Sequence, residues 1–431
     1  MRIEFVKKRK GFAALYITLL IMAIIFSIGA SITFLVLGQQ KIAQNIVKSS
    51  QAYYTAESGI EDALLRLSDK MAWLPSYSFS VGSGTANVSI SELIGGTRTI
   101  ISTGNITNRI RKLQAVYEIS TEQVSFFYGA QIGDGGMTLG NDKSKVIGNV
   151  FSNGNVTGGG EITNNITIAG NDHELNGPTV GGNATVRSCY NSEIKGTLYY
   201  VLGGVYNTCY RVPPPLKAVP YEKDGIIKDK IDSVPLPISD TQINSWKTEA
   251  ATGGVAPNDI TISGTESLGP IQIGTPTAPK DLIISNKAIL NMTGNVYVTG
   301  TITTGDALGT TIKLDNLYGS SSGIIMADGA VTINNNVDLL GSGQAGSYLL
   351  MLSTKSGADA ISVGNNAMGA IFYTSAGGIT LNNNMKAREI TGYQVTIGNN
   401  AEIQYESGLE NSTFSSGPGG SWKVSSWKEI E

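Results

Sequence analysis

One histidine and two cysteines in 431 residues leave little from which to build a zinc site or a histidine-based catalytic centre. Charge is also scarce. Asp, Glu, Lys and Arg make up 15% of the chain, against about 25% in an average globular protein. The 31 basic residues are scattered and outnumbered by 34 acidic ones, which argues against a nucleic-acid-binding surface. These shortages weigh against an enzyme, and no cofactor or metal is expected. What is abundant instead is turn chemistry: 53 glycines and 32 asparagines, set among Thr, Ser, Ile and Val. That mixture suits a β-rich chain with many tight corners, and the length allows about two to three domains.

The charge is distributed most unevenly at the start. Residues 1–10 (MRIEFVKKRK) hold five basic side chains and one acid, whereas no charge occurs from Gly11 to Gln40. Residues 12–37 are almost wholly apolar. At about 1.5 Å per helical residue they reach about 39 Å, enough for a hydrocarbon core of about 30 Å. The basic cluster should remain cytoplasmic and send the rest of the chain outward. A cleaved secretory signal is the competing reading, but its apolar region runs to only about 7–15 residues. Here the apolar run passes Gly29-Ala30-Ser31 and continues through Ile32 to Leu37.

Beyond Leu37 the pattern stays helical to Ser68. Ile42, Ile46, Tyr53, Ala56, Ile60, Leu64 and Leu67 recur at helical intervals and predict one apolar stripe in need of a partner. The basic leader, Gly11-Phe12, the uncharged helix and Tyr54-Thr55-Ala56-Glu57-Ser58-Gly59-Ile60-Glu61 together resemble the N-terminus of type IV pilins and pseudopilins, in particular PilX-type minor pilins. The resemblance covers residues 1–70, more weakly to about 120. It implies cleavage by prepilin peptidase between Gly11 and Phe12, N-methylation of Phe12, and packing of the helix with other pilins in a filament. It also implies a Glu at the fifth position after the cleavage point, where this chain has Tyr16. Tyr16 cannot make the ion pair of a major subunit, so it points to a minor, apical one. Loss of residues 1–11 takes the formal charge from −3 to −3 − 4 = −7, and an acidic ectodomain should avoid an anionic membrane surface.

The expected fold is a long N-terminal helix followed by all-β structure: a small antiparallel sheet over 71–128, then a parallel β-helix. Alternating runs at 77–81, 86–90, 99–102 and 112–119 supply the sheet, with Gly82-Ser83-Gly84 and Gly95-Gly96 as turns. From about Gly129 four segments align without gaps, beginning at Val331, Ile361, Ile379 and Val395. Each is a three-residue strand with inward apolar ends, a Gly/Asn corner and a small apolar residue. Their spacings of 30, 18 and 16 residues suggest turns of 16–18 residues with one interval doubled. Weaker copies start at Met137, Ile166 and Thr179. A solenoid of about a dozen turns would be some 60 Å long; a β-sandwich with repetitive loops is the alternative. The coil should occupy 129–210 and 258–408. A proline-rich excursion over 211–257 should carry a short helix capped by Ser239 or Asp240, with Trp246 inward. Residues 409–431 should cover the last turn's open edge.

Cys189 and Cys209 are expected to form a disulfide, with two free thiols or a metal pair as the alternative. The nearby Tyr190, Tyr199, Tyr200, Tyr206 and Tyr210 could stack on a glycan or pack around the bridge. Asp172-His173-Glu174 and Asp134 are poor metal candidates, because neighbouring side chains on a strand point apart and no Gly/Asp array follows. The functional expectation is a non-enzymatic minor pilin or pseudopilin, membrane-inserted with its N-terminus cytoplasmic, displaying a rigid solenoid for adhesion, tip priming or contact with a surface glycan or protein. The alternatives are an anchored β-helix enzyme acting on polysaccharide, which needs acidic or basic groups converging across adjacent turns, and an anchored surface protein outside any filament.

Overall fold

The computed structural model describes residues 11–68, 74–91, 97–119, 121–124, 126–223, 226–406, 408–409, 412–415 and 422–430. The expected turn at Gly95-Gly96 lies outside them. The chain separates into two units, the first made of residues 1–92, 99–117 and 424–431, the second of residues 93–98 and 118–423.

In the first unit, helix α1 (Gly11–Ser68) runs unbroken through Gly29 and Gly38, and it is long and apolar enough to cross a membrane. Strands β1 (Ser76–Val81), β2 (Gly84–Ile90), β3 (Thr97–Ile106) and β4 (Arg109–Ile119) form an antiparallel meander. Two-residue turns at Gly82-Ser83 and Thr107-Asn108 fix their register. Thr107 and Asn108 both adopt positive φ, 44° and 59°, the twist that a two-residue hairpin requires. Strand β2 buries alternate residues, Ala86, Val88 and Ile90 among them.

The helix meets this sheet with its smallest residues. Ala52, Thr55, Ala56, Gly59, Ile60 and Ala63 are buried, a stripe at helical spacing. The backbones come close enough that a Cβ on Gly104 would lie 2.1 Å from the Ala52 carbonyl oxygen, and one on Gly59 would lie 2.1 Å from Ser102 Oγ. The docking face is therefore rotated from the expected stripe. Of that stripe only Ala56 and Ile60 are buried; Tyr53, Leu64 and Leu67 are half-buried, and Ile42 and Ile46 are exposed. Close backbone approach selects small side chains, which a stripe chosen for large apolar residues overlooks.

The sheet takes a fifth strand from the far end of the chain. Trp422–Ile430 lies beside β4, so the C-terminal strand does not cover a solenoid edge as expected. The long edge of β4 offers a full ladder of backbone partners, which the short strands of a solenoid turn cannot.

The second unit is a coil of parallel strands with three faces. One face is a ten-stranded parallel sheet, and the other two are joined in a 23-stranded sheet. Twelve consecutive pairings carry one face from Val255–Ala256 to Lys217–Pro220, a stack of about 58 Å at about 4.8 Å per strand. Inward residues such as Val331, Ile333, Ile361, Val363, Ile379 and Leu381 form a continuous apolar core.

The four strong repeats stack directly: Val331 pairs with Ile361, Ile361 with Ile379, and Ile379 with Val395. The 30-residue interval is thus one turn rather than two. It is lengthened by loops, chiefly residues 341–348. Met137 continues the same row. The weaker copies at Ile166 and Thr179 lie on the other two faces, because every corner of the coil uses Gly and Asn and the motif recurs at each. At the strong corner Asn336, Asn366, Asn384 and Asn400 all have φ between 56° and 60°. Their side chains form ladders, with Asn366 Nδ2 donating to Asn336 Oδ1 at 3.1 Å and Asn400 Nδ2 to Asn384 Oδ1 at 3.2 Å.

The order of turns departs from the order of sequence. Residues 129–210 do not continue into 258–408 through the excursion. Glu389–Ile397, in the last turn, pairs instead with Ala130–Leu139, in the first, and Glu402–Gln404 pairs with Lys145–Ile147. The excursion begins at Tyr221 rather than 211, since Lys217–Pro220 still pairs with Thr197–Tyr200. It then returns along the outside of the coil, turn by turn. Ile231 bridges Gly170, Asn153 Nδ2 donates to the Val234 carbonyl, Gln131 Nε2 to that of Pro235, and Tyr373 Oη to that of Ile238. Helix α2 (Asp240–Thr252) follows, capped by Ser239, whose side chain accepts from Gln242 N. Trp246 is fully buried against the sheet with Ile324, Leu350 and Ile371. Covered on both sides, strands Gly323–Ala327 and Leu349–Ser353 are buried at every position, which explains their unbroken hydrophobic sequences.

Two substitutions test these contacts. Gly104→Val should separate sheet from helix and cost about 2–4 kcal/mol, seen as a lower unfolding temperature by circular dichroism. Asn384→Val should cost about 2 kcal/mol through its left-handed backbone, and Asn384→Gly no more than about half that, measured by denaturant titration.

Candidate functional site

Within the first unit, the residues read as processing and packing sites lie along α1. The helix begins at Gly11 and includes Phe12. Tyr16 is exposed, as are the large apolar side chains from Leu15 to Leu37. Ile42, Ile46 and Tyr54 present a further exposed apolar surface beyond that run. At the other end of the helix Asp62 accepts from Arg66 Nε and from Tyr77 Oη, both at 2.7 Å. The Arg66 hydrogen bond is the main reason the Asp62 pKa is lowered. This cluster ties β1 to the helix.

In the second unit Cys189 and Cys209 form a disulfide with a Cα–Cα distance of 5.8 Å. It joins the last complete turns of the coil. Tyr200 and Tyr206 stack on each other with centroids 4.6 Å apart, while Tyr210 is exposed. Asp134 sits exposed in the bend of Ala130–Leu139. Among the described residues no group of three His, Cys, Asp or Glu side chains could hold a metal ion.

A groove of about 800 Å³ lies on the coil beside the 341–347 loop, with Leu340, Met368, Lys386 and Gln404 among its lining residues. Sequence reading missed it, because the loop was absorbed into a supposedly doubled repeat. Lys386 faces Glu402 at 3.7 Å and Arg388 pairs with Glu406, each pair spanning adjacent turns. In each pair a cation faces a carboxylate across the turns.

Two polar clusters lie by the excursion, one half-buried around Asp328 and one fully buried around Glu389. Asp328 is held by Lys247, Tyr297 and Thr354, the last at 2.8 Å. Burial opposes its ionisation, but the Lys247 hydrogen bond and the two hydroxyls keep its pKa lowered. Glu389 is fully buried; Thr391 Oγ1 donates to its Oε1 at 2.6 Å, and Oε2 has no hydrogen-bond partner among the described residues. Burial raises its pKa well above the ordinary 4.5. Below that ordinary value both folded and unfolded states are protonated and the site costs nothing extra. As pH rises above it the unfolded state ionises first, and stability falls by about 1.4 kcal/mol per pH unit until the folded value is reached. Glu389→Gln should therefore match the parent chain below pH 4.5 and become progressively the more stable as pH rises, measured by thermal unfolding across pH.

Residues 10–61 match the family described as PilX N-terminal. The match takes in the Gly11-Phe12 junction, the apolar run and the Ala56-Glu57-Ser58-Gly59-Ile60 stretch, whose Ala56, Gly59 and Ile60 dock on the sheet. No curated protein matches the chain. A solved structure, the competence-associated pilin ComZ from Thermus thermophilus, aligns over 89% of this chain and 98% of that one, at 12% identity and a TM-score of 0.26. A superposition that loose carries no argument. Over the matched residues, all but the first of which lie in α1, this N-terminal segment is similar to the N-termini of type IV pilin-like proteins of the PilX kind.

Proposed function

We propose that the protein is a non-enzymatic minor pilin of a type IV pilus or a related secretion filament, and that its parallel coil is the displayed part. The observation that carries this reading is the family match over residues 10–61, which includes Ala52, Ala56, Gly59 and Ile60 of the face that seats the helix on its own sheet. In this reading prepilin peptidase cuts between Gly11 and Phe12, the N-terminus starts cytoplasmic, and Phe12 is methylated. The exposed Ile42 and Ile46, with Tyr53, Leu64 and Leu67 at the margin of the docked face, then meet the helices of other pilins. Tyr16 gives no carboxylate to pair with a neighbour's amine, which suits a subunit at or near a filament tip. The coil's role is contact, with a glycan or protein surface, for adhesion or tip priming. The cation–carboxylate pairs of its groove favour this over polysaccharide chemistry.

The test is N-terminal mass mapping of the protein from membranes and from sheared surface filaments. Loss of residues 1–11 with a methylated Phe12, and presence in the sheared fraction, is the expected result. Gly11→Val should leave the leader attached and keep the protein in membranes. An intact Met1 in the parent protein from both fractions would overturn the reading, leaving an anchored surface protein outside any filament.

A further inference from the structure

The net charge of the chain hides a local concentration of cations at one end of the first unit. The first charged residue after the apolar run is Lys41, and Lys48 follows two turns later. The β3–β4 hairpin reaches the same stretch of helix: Arg109 Nη2 donates to Asn45 Oδ1 at 2.9 Å, and Arg111 Nε donates to Ser49 Oγ at 2.9 Å. Between hairpin and helix lies a groove of about 440 Å³. Arg109 and Arg111 line it on one side, Asn45 and Ser49 supply polar atoms, and Ile42 and Ile46 supply an apolar wall. Arg111 also pairs with Glu429 at 2.7 Å through Nη1, which leaves Arg109 without an acid among the ion pairs of the described residues. Ile110, between the two arginines in β4 and so on the other face of the strand, is 60% exposed.

We propose that this groove holds the phosphate of an anionic phospholipid in the bilayer that the helix crosses, making the hairpin a second membrane contact. The inference rests on the reading of residues 12–37 as the membrane-spanning part. Three observations converge. With Leu37 at the outer edge of the hydrocarbon, the groove's Ile42 lies five residues, or about 8 Å, beyond it and Asn45 about 12 Å beyond it, so the groove begins at the headgroup layer. Guanidinium groups recognise phosphate through paired hydrogen bonds, which a solvated lysine does less specifically. The groove is also two-sided in chemistry: an ionic wall for the headgroup, and an isoleucine wall for the glycerol and upper acyl chain. The acidic character of the whole ectodomain does not oppose this, because charges farther than about 10 Å are screened at physiological salt.

The experiment uses the full chain in lipid nanodiscs. Asn108→Cys, in the exposed hairpin turn, carries a fluorophore; both native cysteines are tied in the disulfide. Quenching by headgroup spin-labelled lipid is compared in phosphatidylcholine discs and in discs containing phosphatidylglycerol. Quenching should be clearly stronger with phosphatidylglycerol, and the dependence should disappear in Arg109→Ala/Arg111→Ala, since each cation near an anionic surface contributes roughly fivefold in association. Arg109→Lys/Arg111→Lys should retain part of it. Equal quenching in both lipids, from a chain that has entered the discs, would overturn the proposal without any variant. So would a lipid dependence that survives the double alanine variant. Failure of the chain to enter discs at all would overturn the membrane-spanning reading instead, and co-elution of protein with disc reports that separately.

Discussion

The pairing of Ala130–Leu139 with Glu389–Ile397 is the joint on which the second unit depends. A parallel turn cannot bury its face alone, so each requires a neighbour above and below. Without this joint the chain would make two shorter stacks, each with two open ends. With it, one core runs through both halves, and the first strand of the coil lies beside the last. The bend in both strands at this level, near Gly133–Gly136 and Gly392–Gln394, lets a single strand serve two faces.

The joint also explains the excursion. If the chain enters the stack in its middle, builds to one end and must then build from the other, some segment has to travel the full length. Residues 221–254 do so, and the coil uses them. Ile238, Trp246 and Ala250 cover a face that would otherwise expose Ile324, Leu350 and Ile371. The covering brings polar groups under it as well, so that Asp328 gains Lys247 while Glu389 is left without a cation. Packing and electrostatics here follow from topology.

Much of this was legible in the amino-acid order, and the parts that were not share a cause. The limits of α1 follow from an uncharged apolar run and its helical continuation, and those of α2 from Ser239 and Gly253-Gly254. The asparagine corners announced the coil. What could not be read was which turn lies on which, because inward Ile, Val and Leu look alike at every level. The copy at Leu282, with Lys287 at the left-handed corner position (φ 62°), was missed because lysine replaces asparagine. The docking face of α1 was missed because hydropathy favours large residues, whereas Ala52, Gly59 and Ala63 are selected for closeness. Arg109 and Arg111 carried no local signal; only the hairpin brings them to Asn45 and Ser49.

The position of the joint has a kinetic consequence. Asn400 and Asn141 are hydrogen-bonded across 259 residues of sequence, so the turn made first in synthesis waits for the turn made last. Non-local contacts of that kind slow folding, since loop closure must precede any reward. Residues 145–200 can stack on one another early, and so can residues 255–404. The two half-coils then meet through edges that stay open until the whole insert has been delivered. That interval is when unpaired strand edges are most exposed to wrong partners, and it ends only when Glu389–Ile397 finds Ala130–Leu139.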